Sequence, residues 1–162
     1  YDFEKATIGF DYYKTLNEDL LDRKTILRVS TDIGYMFGPD DPFFERFYGG
    51  GIGSLRGFQF RGVSPRSGPE NDRIGGDFSA TSTVEVSYPL AGEILRGVVF
   101  TDFGEVERSV RTGVIRSSIG TGFRLTLPFF GQVPIALDFA IPITKDHYDD
   151  TQFFSFSLGF TQ

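Results

Sequence analysis

The sequence predicts an all-β protein, and within that class an antiparallel transmembrane β-barrel of which these residues form the C-terminal part. Three observations point there. The composition is aromatic and glycine-rich, with 19 Phe, 7 Tyr and 20 Gly in 162 residues, and helix-favouring runs of Ala, Leu, Glu and Lys are absent. Apolar residues recur at every second position over segments of about 10 to 15 residues, whereas soluble strands usually run about 5 or 6 and tilted membrane strands need about 9 to 11. The opposite face of those segments carries charges of both signs set among Gly and Ser, which suits a confined aqueous lumen better than bulk water.

Taken in order, the first segment spans about 3–15, with Ala6, Ile8, Phe10 and Tyr12 alternating with Thr7, Gly9 and Asp11. "NEDLLD" breaks it. The second spans 24–37, with Leu27, Val29, Ile33 and Tyr35 on one face and Arg28, Ser30, Asp32 and Gly34 on the other. A long irregular segment, 38–77, follows. Residues 78–90 set Val84, Val86 and Tyr88 against Thr83, Glu85 and Ser87, and residues 94–106 contain "VVFTDFG". Residues 114–128 set Ile119, Thr121, Phe123, Leu125 and Leu127 against Ser118, Gly120, Gly122, Arg124 and Thr126. Residues 133–144 set Ile135, Leu137, Phe139 and Ile141 against Ala136, Asp138 and Ala140. The last segment, 152–161, sets Phe154, Phe156, Leu158 and Phe160 against Phe153, Ser155, Ser157 and Gly159.

The connections alternate as barrel connections do. "NEDLLD", "PLAGE" and "PFFGQV" are short, while 38–77, 105–113 and 144–151 are longer and more charged. That pattern runs the last strand toward the periplasm. Bacterial single-chain barrels have an even strand count from 8 upward. Seven strands that begin without a leader therefore read as the C-terminal part of a larger barrel, residues 1–162, with no second domain.

Other classes are narrowed by composition. With no Cys, neither disulfides nor thiolate metal sites exist. A net charge of −6 argues against nucleic acid as a partner. "YDFEKATIGF" has neither the basic start nor the apolar core of a signal peptide. A mean hydropathy of −0.14 would suit a soluble chain, but alternating barrel strands average out to the same value.

The segment "PFFERFYGGGIGSLRGF" carries the most specific signal. With Glu45, Arg46, Phe47, Tyr48, Gly50, Gly51, Ser54, Arg56, Gly57 and Phe58 in place, it resembles the "ERFYxGGxxSxRGF" signature of the BamA-like outer-membrane assembly family, the bacterial surface antigen superfamily. "TSTVEVSYPL", "VVFTDFGEV", "IRSSIGTGFRLTLPFFGQVPIALDFAIPI" and "FFSFSLGF" resemble the strands that follow the loop in that family, so the likeness covers nearly the whole chain.

The resemblance implies that the loop folds back into the barrel and that Arg56 pairs with the lumen-facing acids Glu85 and Asp102, with Asp138 a further inward candidate. It also implies an insertase that folds β-barrel clients into the outer membrane without cofactor or nucleotide. Its last strand, with Phe154, Phe156, Leu158 and Phe160, would form one side of a seam where a client strand pairs. Outer-membrane lipid, client barrels and accessory lipoproteins, the last bound through periplasmic domains outside these residues, are the implied partners. Alternatives are a two-partner secretion transporter or other protein-translocating barrel of the same superfamily, and a soluble β-sandwich binding module. The chain ends on Thr161–Gln162, with the last aromatic, Phe160, two residues early, and has no Trp, which departs from the family's usual closing strand and leaves Tyr and Phe to form the interfacial girdle. An isolated fragment is expected to associate through its open sheet edges.

No chemistry competes with this reading. His147, in "TKDHYDD", has Asp146, Asp149 and Asp150 nearby but no second catalytic group, and reads as a solvated loop histidine. "DHYDD" and "GPDDP" lack the spacing of a calcium loop and read as solvated acids. "GGGIG" is followed by neither Lys-Ser/Thr nor a helix, so it is no phosphate loop. The expectation is a non-enzyme with no metal and no cofactor.

Overall fold

The computed structural model describes residues 2–39, 42–92, 94–110, 113–127 and 133–159. Most of "PFFGQV", part of "GPDDP" and Phe160 to Gln162 lie outside the described residues.

Among the described residues seven strands form one antiparallel meander: β1 (Glu4–Glu18), β2 (Lys24–Phe37), β5 (Phe78–Ala91), β6 (Leu95–Glu107), β7 (Arg116–Thr126), β8 (Pro134–Thr144) and β9 (Phe154–Leu158), each hydrogen-bonded to the next. A two-residue hairpin, β3 (Arg66–Ser67) with β4 (Asp72–Arg73), sits inside the long loop between β2 and β5. That loop was expected to be irregular throughout. Its "SGPEND" turn, with Gly68 and Asn71 both at positive φ, closes the hairpin. β1, β2, β5, β6, β7 and β8 fall within three residues of the periodic segments in the sequence. β9 is the shortest of the seven strands and begins two residues after the periodicity does, for a reason that lies on β8.

Burial is inverted relative to a soluble protein. Outward-facing Ile119 and Ile141 are 50% and 51% exposed, while inward-facing Asp102 and Asp138 are 0% and 2% exposed. Water-soluble domains bury the first kind and expose the second. A largely apolar exterior around a polar interior fits a lipid solvent. At about 3.3 Å per residue, the 11-residue strands β7 and β8 are long enough to cross a tilted hydrocarbon span. Among the described residues no helix is long and apolar enough to cross a membrane.

The sheet curls. Asp11 of β1 and Ser157 of β9 line the same cavity of about 560 Å³, although the two strands stand at opposite ends of the strand order. The arc is open, with β1 and β9 each paired on one side only. The loop between β2 and β5 fills the concave side. Its Leu55, Phe58 and Val63 bury completely with Val106 of β6, and Phe47 packs against them. This small apolar core is what the folding loop gains from the wall.

Candidate functional site

Period 2 sets the site. Residues 98, 100, 102, 104 and 106 of β6 share the inward face, as do Thr83 and Glu85 of β5, Arg124 of β7 and Asp138 of β8. In register, Thr83 lies opposite Asp102 and Gly122 opposite Asp138, which brings the acids to one level of the wall.

Arg56 enters this group from the loop. Its Nε and Nη2 donate to Oδ2 and Oδ1 of Asp102, both at 2.8 Å, in a bidentate pair. Its backbone N–H donates to the same Oδ2 at 3.0 Å, so the loop backbone is fixed along with the side chain. Nη1 donates to Glu85 Oε2 at 2.6 Å and stands 3.8 Å from Asp138 Oδ2. The guanidinium carbon lies 3.3 Å from the centroid of the Phe100 ring. A planar fork satisfies all of these at once, and an ammonium could not.

The cluster is larger than one arginine and two acids. Arg124 donates to Asp138 at 2.7 and 3.2 Å and to Glu85 at 3.3 Å, so Glu85 is shared by two guanidinium groups. Thr83 Oγ1 donates to Asp102 Oδ1 at 2.9 Å. With these partners, Asp102 accepts four hydrogen bonds while fully buried, which is the condition under which a buried charge is tolerated.

Gly57 follows at φ +91°, and a Cβ there would lie 3.2 Å from Ser118 Cβ and 3.4 Å from Ala140 Cβ. Glycine is required both for the backbone turn and for the approach to β7 and β8. Phe58 is fully buried in the loop core and bridges by backbone to Thr151.

Glu45, Arg46 and Tyr48 lie away from the cluster and hold the loop's entry. Arg46 Nη1 donates to the Ile74 carbonyl at 2.9 Å, and Phe47 pairs by backbone with Gly76, so the two ends of the loop are tied together. The Glu45 carbonyl accepts from Lys5 Nζ at 2.6 Å, and the Tyr48 hydroxyl donates to the Phe43 carbonyl at 3.3 Å. In β9, Phe154, Phe156 and Leu158 point outward and are exposed, and Phe160 lies outside the described residues.

A second buried ion group stands nearer the long-loop end. Arg116 of β7 donates from Nε and Nη2 to Asp149 at 2.9 and 3.3 Å, and from Nη1 to Glu107 at 3.1 Å. Asp149 also accepts the Asp146 backbone N–H at 2.7 Å. The sequence reading of "DHYDD" as wholly solvated is therefore corrected at Asp149, which is buried. Arg116 shares the inward parity of Arg124, and that parity was the one signal available. Its partner 33 residues away on a loop left none. His147 stays exposed and stacks edge-on against Tyr148 at 5.1 Å. Among the described residues no group of three or more metal-ligating side chains converges.

Asp150 clamps the hairpin onto the last long loop. It accepts from Arg66 at 2.8 Å and from Arg73. Burial pushes its carboxyl up, but the hydrogen bonds from Arg73 and Arg66 outweigh this and hold it below its ordinary value of 3.8. A depressed carboxylate stabilises the fold above its unfolded value and loses that contribution as pH falls through the folded one. Protection of the Gln59 amide, which donates to the Asp150 carbonyl at 2.9 Å, should therefore hold above the ordinary carboxylate value of 3.8 and fall as pH drops below it. Amide exchange corrected for intrinsic rate measures it. In Asp150→Asn the pH dependence should vanish.

Comparison with known proteins gives this geometry a family. Residues 2–161 match the Omp85 superfamily domain. The chain is 34% identical over 125 residues to the outer membrane protein assembly factor BamA of Nitratidesulfovibrio vulgaris, covering 74% of this chain and 16% of that protein. It is 28% identical over 159 residues to BamA of Neisseria meningitidis serogroup B, covering 79% and 20%. The chain thus spans a fifth or less of the length of these relatives. Among solved structures, BamA from Haemophilus ducreyi lacking POTRA domains 1–3 superposes with a TM-score of 0.78 at 22% identity, over 95% of this chain and 34% of that one. That likeness carries the fold.

Proposed function

The chain belongs to the Omp85 superfamily, and from that membership and the loop held at Arg56 we propose that it is the C-terminal barrel segment of an outer-membrane protein assembly factor. It is part of a bacterial outer-membrane β-barrel. The function proposed for the parent protein is to insert client β-barrels, using β9 as one side of a seam where a client strand adds by backbone pairing. Accessory lipoproteins would act on domains outside these residues.

The observation that carries this reading is the bidentate Arg56–Asp102 pair with Glu85 as third partner, inside a wall whose exterior is apolar. An ion cluster of this kind fixes a loop of about 40 residues, whose ordering costs about 1–2 kcal/mol per residue, against the inner wall beside the proposed seam. No ligand chemistry is needed for that role. The drive for insertion comes from client strand pairing and apolar burial.

The test uses the full-length parent protein in liposomes with an unfolded outer-membrane protein as client. The expected result is faster conversion of client to its heat-resistant, protease-protected form than in protein-free liposomes. Passage of a soluble passenger across the membrane without client insertion would favour a secretion transporter and overturn the insertase reading.

A further inference from the structure

β9 starts late because of its neighbour. The Ala140 amide donates to the Phe153 carbonyl at 2.9 Å, and amides facing the same neighbouring strand recur every second residue. The next one toward the long-loop end would be residue 142, which is proline and has no N–H. The ladder between β8 and β9 stops there.

The chain just before β9 turns inward instead and pairs with the loop. Gln152 N–H donates to the Gly57 carbonyl at 3.0 Å, Gln59 N–H to the Asp150 carbonyl at 2.9 Å, and Asp150 N–H to the Gly62 carbonyl at 3.2 Å. Gly62 permits the approach, since a Cβ there would stand 2.7 Å from the Asp150 carbonyl oxygen. Side chains hold the same stretch on two sides, Arg116 at Asp149 and Arg66 with Arg73 at Asp150. Residues 149–153 are thus a strap with no apolar core of their own. It is bound to the docked loop and runs directly into β9.

We propose that the Arg56–Gly62 segment and the long-loop end of β9 open and close as one unit, coupled through this strap. With the loop docked, residues 150–152 are occupied and β9 begins at a fixed point below Pro142. With the loop displaced, the strap loses its three backbone bonds and the clamps at Asp150. The top rung at Phe153 then becomes a frayed end of an edge strand. Coupling of this sort is reciprocal, because each segment is stabilised by the other. Its bearing on client pairing rests on the reading of β9 as the seam strand, whereas the coupling itself does not.

The experiment is amide exchange on the full-length parent protein in nanodiscs, without client. Gly62→Ala places a methyl against the Asp150 carbonyl and leaves the Arg56 cluster untouched. It should accelerate exchange about tenfold both in 56–62 and in 149–157, with β5 and β6 unchanged. Pro142→Val restores a donor toward the Thr151 carbonyl, on the edge of the strap that faces away from the loop, and should slow exchange in 150–157 and, through the strap, in 57–62 as well. Acceleration of 56–62 alone in the first variant, or an unchanged loop in the second, overturns the coupling. If Gly62→Ala does not fold, Asp150→Asn provides the same readout. Client insertion, measured separately, distinguishes the two ideas: intact coupling without insertion activity would sink only the proposed function.

Discussion

Arg56→Ala is expected to destabilise the barrel by about 3–5 kcal/mol, the cost of breaking a buried ion pair, and to impair client insertion in the parent protein. Asp102 is fully buried and would keep only Thr83 Oγ1 and the residue 56 backbone N–H as donors. Glu85 suffers less, because Arg124 still reaches it at 3.3 Å. Screening lowers the figure little at Asp102, since Arg56 itself is only 7% exposed. Arg61→Ala is the control. Arg61 stacks on the Tyr48 and Phe60 rings at 4.8 and 5.5 Å and makes no contact with the acids, so its loss should stay within about 1 kcal/mol. Arg56→Lys should fall between the two, because one ammonium cannot form the bidentate pair and the ring contact together. A double variant, Arg56→Met with Asp102→Asn, should recover part of the loss. Most of the penalty comes from the carboxylate left without its partner. Unfolding in detergent measures all four. Equal effects at Arg56 and Arg61 would remove the loop anchoring.

The strands were legible because period 2 is a local signal. Parity alone places Glu85, Asp102, Arg124 and Asp138 inward, since each sits among small residues opposite an apolar neighbour. The pairing of Arg56 with two of those acids was legible only through the resemblance. No spacing rule connects a loop residue to strands 29 and 46 positions later. The strap was illegible for a different reason. Pro142 is visible in "AIPI", but which neighbour its missing amide would have faced depends on the register of β8, which the sequence does not state. Arg116 and Asp149 joined only when the last long loop folded back over β7. What local pattern encodes is the wall, and what it does not encode is how a loop closes onto it.

Gly57 gives the second large effect, and it separates backbone strain from crowding. At φ +91° any residue with a Cβ is strained, by about 1–3 kcal/mol, so Gly57→Ala should cost at least that. Gly57→Val adds a branched side chain where Ser118 Cβ, Ala140 Cβ and the Pro142 nitrogen already stand 3.2, 3.4 and 3.5 Å from the first added atom. Overpacking of that kind costs about a further 1–3 kcal/mol, and β-branching makes the positive φ worse. Ser118→Gly in the Gly57→Val background should recover only part of the crowding. It opens the nearest contact but leaves Ala140, Pro142 and the backbone torsion as they are. Denaturant midpoints in detergent rank the series. A silent Gly57→Ala would mean that the loop does not hold this backbone conformation against β7 and β8, and Arg56 could not then be delivered to Asp102 with its own N–H on the same oxygen.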